Sequence, residues 1–225
     1  SPYGYGAVHD GEVIEAPLAE TIGSGAYTKG IPLMIGSCEH ESALWIAMNP
    51  KMQAMTGDDF ESRLRHVHGE RAEAMISAYA DGRSPVNAWT AIMTDNTFRI
   101  PAIRTADLHR QHTPDTWMYL FDHHSPAMEG RLGSVHSLDI PFVFGTLTAE
   151  GMDEFCGRGE EVESLSAALM DTYLHFARTG NPGHEGIPAW HRYDSNRTTM
   201  CFGSERGIRT QNDPMSAERQ SWGGD

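Results

Sequence analysis

The chain has 225 residues, 39% of them hydrophobic and 21% charged, which is enough to bury a core as one domain. A formal charge of −14 argues against nucleic acid or an anionic membrane surface as a partner, and no window approaches the ~20 apolar residues of a membrane span. Three cysteines, Cys38, Cys156 and Cys201, make an odd count without metal-ligand spacing.

Residues 1–30 are glycine-rich and irregular. Ser1–Gly6 has no basic region and no apolar signal core, and no compartment follows from it. Asp10-Gly11 reads as a turn. Ile31–Gly36 is a short apolar run bounded by turn signals, as expected of a buried parallel strand. Ser37-Cys38-Glu39-His40-Glu41-Ser42 follows, then a helical stretch over Ala43–Met48. Acidic residues after a strand and before a helix stand where open α/β sheets bind ligands. Acidity at a helix start that complements the macrodipole is the competing explanation.

Residues 50–82 read as helical, with a capping box at Asp58-x-x-Glu61 and apolar stripes ending at Gly82. A helix over Asn87–Thr94 puts Asp95 at a helix end, a structural place, and Ala102–His112 reads as another helix. Thr116–Asp122 is apolar and aromatic without alternation, which suits a central strand covered on both faces. Leu132–Gly145 then sets His136 between a small-residue turn and the run Ile140–Phe144, which can anchor that turn in a core. A linker over 145–158 leads to a strong amphipathic helix, Glu161–Thr179, stopped by Gly180-Asn181-Pro182. Thr198–Phe202 is a last strand, and 204–225 reads as a polar, frayed tail of the single domain 1–225.

Twelve histidines raise the question of metal. The clusters His66-x-His68, His109-x-x-His112 and His123-His124 lack acidic or cysteine partners at ligand spacing and read as surface histidines. No metal or cofactor is expected.

Several of these passages together resemble the type-B carboxylesterase family, the group with cholinesterases and para-nitrobenzyl esterases. Gly133, His136, Asp139, Pro141, Phe142, Val143, Phe144 and Gly145 match that family's histidine motif; Ser137 stands where it usually has glycine. Gly36, Ser37 and Glu41 match its acid motif. Asp95-x-x-Phe98-x-x-Pro101 and Phe176-Ala177-x-x-Gly180-Asn181-Pro182 resemble two further passages. The resemblance implies the C-terminal portion of an α/β-hydrolase fold, with Glu41 as acid and His136 as base of a Ser-Glu-His triad, acting on a small-molecule ester.

The chain contains no G-x-S-x-G and no glycine run for an oxyanion hole. It therefore reads as a fragment, inactive alone, whose partner is the N-terminal half of the same enzyme. Self-association would be another way to cover an apolar patch expected near Ile31–Ile35. Cys38 as a substitute nucleophile is the weaker chemical alternative. A cholinesterase-like binding or adhesion module is the non-catalytic one.

Overall fold

The computed structural model describes residues 10–26 and 28–223. Its centre is a four-stranded sheet: β1 (Leu33–Cys38), β2 (Thr116–Phe121), β3 (Thr198–Phe202) and β4 (Arg209–Asn212), in that spatial order. The first three strands run parallel and β4 is antiparallel to β3. In register, Gly36 faces Tyr119 and Cys38 faces Phe121, while Phe121 in turn faces Phe202. Gly36 is required at that place, because a Cβ there would overlap the Tyr119 carbonyl and ring. β2 lies between two neighbours and is buried along nearly its whole length, as its unbroken apolar sequence demands. β1 has a strand on one side only among the described residues, and Ile31 just before it is 58% exposed.

The helices that matter here are α1 (Ala43–Ala47), α2 (Gly57–His68), α3 (Ala72–Ala80), α4 (Pro85–Thr94), α5 (Ile100–His109), α6 (Asp139–Val143), α7 (Glu160–Thr179) and α8 (Ser216–Ser221). One core joins the sheet to α6 and α7 through Phe121, Phe142, Leu165, Leu169 and Phe202. A second joins α2 to α5 through Phe60, Leu64, Met75, Tyr79, Ile92 and Ile100. Each such side chain contributes roughly 1.5–3 kcal/mol by leaving water. Helix α7 starts with Glu160, Glu161 and Glu163 and ends on Gly180, whose φ of 75° suits glycine.

Five expectations are corrected. The α2 capping box is Thr56 with Asp59, not Asp58 with Glu61: the Thr56 hydroxyl accepts the Asp59 N–H, a task only the residue before the helix can perform. Asp95 does not end a helix. Helix α4 runs through a π-helical segment, Asp95–Arg99, into α5, and Pro101 at the start of α5 has no N–H to give the ladder. The run behind His136 anchors through Phe142, which is fully buried, whereas Ile140 and Phe144 are exposed. The linker over 145–158 contains a short helix, Met152–Cys156.

Residues 204–223 of the expected frayed tail are instead ordered: they include β4 and α8, and Trp222 is buried. Arg219 holds Asp213 through two hydrogen bonds. Trp222 donates its indole N–H to the Tyr79 hydroxyl, 2.6 Å away. Polarity in the sequence hid these fixed partners.

Candidate active site

Glu41 lies in the turn that leaves β1, and α1 starts two residues later. It is 5% exposed. One carboxylate oxygen, Oε1, accepts the Cys38 backbone N–H at 2.8 Å, so the strand end itself aims the side chain. The other, Oε2, accepts the His136 Nδ1–H at 2.6 Å. Residues 95 apart in sequence thus meet at hydrogen-bond distance. Burial first, and the charge of Asp139 last, push the Glu41 carboxyl above the ordinary carboxylate range, against the pull of the Cys38 N–H and of His136.

His136 sits on a tight turn. Gly133 and Ser137 both have positive φ, 56° and 67°. Ser137 therefore adopts the conformation for which glycine is suited, at the position where the resembling motif has glycine. Val135 and Leu138 are fully buried on either side, while the imidazole keeps 42% of its surface. The ring rests against Trp45 and Phe98, with centroids 5.2 and 5.1 Å away, and those two rings stack 6.3 Å apart. Among the described residues nothing hydrogen-bonds its Nε2. A carboxylate on Nδ1 fixes the tautomer with a lone pair on Nε2, the form a general base needs.

Cys38 is 2% exposed. Burial, then the charges of Asp139 and Glu41, push its thiol well above the usual range, which disfavours the thiolate a nucleophile needs. All three cysteines are buried and free.

The histidine clusters are not all surface residues. His109 is buried and bonds Thr116 Oγ1 through Nδ1, and His123 is buried between Ser204 Oγ and the Cys156 carbonyl. Desolvation in these apolar surroundings pushes both below the ordinary histidine range. Glu39, His40 and His124 bring polar atoms within 4.8 Å of one another. His40 Nδ1 already accepts the Ser134 N–H at 3.2 Å, and Arg206 stands 3.8 Å from Glu39. Glu39 Oε2 also lies 3.4 Å from His124 Nε2, so the carboxylate stands between a histidine and an arginine.

The carboxylesterase family's sequence profile matches residues 2–222. The chain belongs to the carboxylesterase family. It is 33% identical over 206 residues to the para-nitrobenzyl esterase of Bacillus subtilis, covering 89% of this chain and 39% of the relative. It is 26% identical to mouse neuroligin-3 over 199 residues, covering 79% of this chain and 24% of that one. Among solved structures, a carboxylesterase from Geobacillus stearothermophilus superposes with a TM-score of 0.82 at 29% identity, over 97% of this chain and 46% of the other. The fold is accordingly part of an α/β-hydrolase, and the chain spans less than half the length of these relatives. No helix among the described residues is long and apolar enough to cross a membrane.

Sequence reasoning reached Glu41 and His136 through motifs and missed the aromatic seat of Trp45 and Phe98. Trp45 is the third residue of the short helix α1, where its sequence neighbours give no sign of what it touches.

Proposed function

We propose that this carboxylesterase-family chain supplies the acid and base of a Ser-Glu-His triad for the hydrolysis of carboxylic esters. The nucleophilic serine and oxyanion donors come from an N-terminal half not present in it. The observation that supports this best is the 2.6 Å bond between Glu41 Oε2 and His136 Nδ1, with Nε2 left open and the ring set against exposed Trp45 and half-buried Phe98. In this reading the serine hydroxyl gives its proton to His136 Nε2 as its oxygen attacks the ester carbonyl. Glu41 stabilises the resulting imidazolium. The proton then passes to the leaving alkoxide oxygen as the C–O bond breaks, leaving an acyl-serine that water hydrolyses by the same base. A buried carboxylate aimed at an imidazole with an open nitrogen favours this reading over a binding module.

The test is to purify residues 1–225, verify the mass, and assay a nitrophenyl ester alone and after mixing with the upstream half. No turnover alone, and turnover sensitive to a serine-directed inhibitor on mixing, is the expected result. Inhibitor-sensitive turnover by the isolated chain would refute the reading.

A further inference from the structure

His40, the residue before the acid, is tied to the turn that carries His136 by two hydrogen bonds, the first of them part of a backbone bridge, and by close packing. Its backbone N–H donates to the Ser134 carbonyl at 2.8 Å. Its Nδ1 accepts the Ser134 N–H at 3.2 Å. Its backbone pairs with Val135 as an isolated parallel bridge. Its ring lies so close over Gly133 that a Cβ there would stand 2.7 Å from Nδ1. Because a backbone N–H can only donate, His40 Nδ1 must carry its lone pair and Nε2 the proton. The two histidines thus face the same turn as opposite tautomers: His136 donates through Nδ1 to Glu41, and His40 accepts through Nδ1 from Ser134.

We propose that His40 is a positioning residue, which as the neutral imidazole holds the backbone of the histidine turn and so keeps the His136 ring on Glu41. Protonation would turn Nδ1 into a donor facing another donor, and the contact would be lost. The groups that face His40 are Glu39 on its own segment, His124 after β2, Arg83 between α3 and α4, and Arg206 between β3 and β4. Burial, helped by His124 and the two arginines and opposed by Glu39, favours the neutral ring.

The consequence for catalysis rests on the role proposed for His136, but the positioning itself is readable without turnover. Two variants separate acceptor from ring. His40→Asn places Oδ1 where Nδ1 stands and keeps an acceptor; His40→Phe keeps a ring and removes it. Amide hydrogen exchange of the 225-residue chain, followed by NMR, is expected to be slow at Ser134 in the parent and in His40→Asn. In His40→Phe it should be roughly tenfold faster, the effect of losing one hydrogen bond, with the Leu120 amide of β2 unchanged as a control. The Ser134 amide shift of the parent should also titrate below the ordinary histidine range, and not in His40→Asn. In the enzyme reassembled with its upstream half, His40→Phe should lower kcat by tenfold or more at constant KM, with His40→Asn restoring it. Equal Ser134 exchange in all three proteins, or a Ser134 shift that titrates identically in parent and His40→Asn, would overturn the proposal. The titration decides it even if His40→Phe does not fold. Absence of ester turnover in every mixture would count against the proposed function and leave the exchange result standing.

Discussion

Two buried carboxylates stand close together in this molecule and are used in opposite ways. Asp95 is 3% exposed and Glu41 5%. Asp95 receives the Arg99 guanidinium on both oxygens and the Tyr79 hydroxyl as well. Tyr79 in turn accepts the Trp222 indole N–H, and Arg99 donates its remaining arm to the Pro214 carbonyl. Every partner is a permanent cation or a group far from titration; burial, then the charge of Asp95, pushes the Tyr79 hydroxyl far up. Glu41 has one backbone donor and one titratable partner, and that partner's far side is open to solvent. A saturated buried carboxylate spends its interactions on holding distant segments together. An unsaturated pair keeps one nitrogen available for a proton. The Ser42 N–H donates to the hydroxyl of Thr94, the residue before Asp95, which braces the turn that carries Glu41.

This contrast can be broken from either side. The largest effect is expected at the pair. In the protein that also carries the upstream serine, His136→Ala and Glu41→Gln should each lower kcat/KM for a nitrophenyl ester by roughly 10⁴ or more, while urea midpoints fall by less than in Asp95→Ala because the His136 side is open to water. Asp95→Ala should do the reverse. Removing one partner of a buried ion pair costs about 3–5 kcal/mol, seen in the urea midpoint, and the molecules still folded should keep their turnover. Cys38→Ala should cost about 1–2 kcal/mol, for a small buried side chain, and leave the turnover of the reassembled enzyme intact. Loss of turnover without unfolding would revive a thiol mechanism.

The smallest effect concerns pH. The bond to Glu39, together with its charge, raises His124 above its ordinary 6.5, so that contribution to stability is present below pH 6.5 and fades as pH rises through the folded value. Burial pushes Glu39 up, but His124, His40 and Arg206 bring it below its ordinary 4.5. Its contribution is present above pH 4.5 and fades as pH falls. The stability difference between the parent and His124→Asn should therefore be widest between pH 4.5 and 6.5. A difference that is flat from pH 4 to 8 would show the pair to be idle.

What was legible in the sequence follows the range of the interaction that fixes each residue. β1, β2, β3 and α7 announce themselves by local apolar pattern and by glycine and proline stops. Glu41 and His136 were readable because each sits inside a short motif, although the bond between them spans 95 residues. The capping box was misplaced by two residues because Asp58, Asp59 and Glu61 are all acidic near a helix start, and only the Thr56 hydroxyl selects among them. The tail looked frayed because the order of its described residues, 204–223, depends on Tyr79, 143 residues away from Trp222, and on Arg71, which donates to the Trp222 carbonyl. Nothing local encodes those partners. His40 and Trp45 were missed for a related reason: a histidine beside an acid and a tryptophan on a short helix carry no local sign of which turn they touch.

The most direct test of the account is a double-mutant cycle on the pair, measured as kcat/KM in the protein that carries the upstream serine. If Glu41 works only through His136, then Glu41→Gln costs nothing once His136 is alanine. The double variant should match His136→Ala within about threefold. Losses that multiply, with the double variant slower than His136→Ala by the full factor of Glu41→Gln alone, would show that the two residues act separately and would contradict the account.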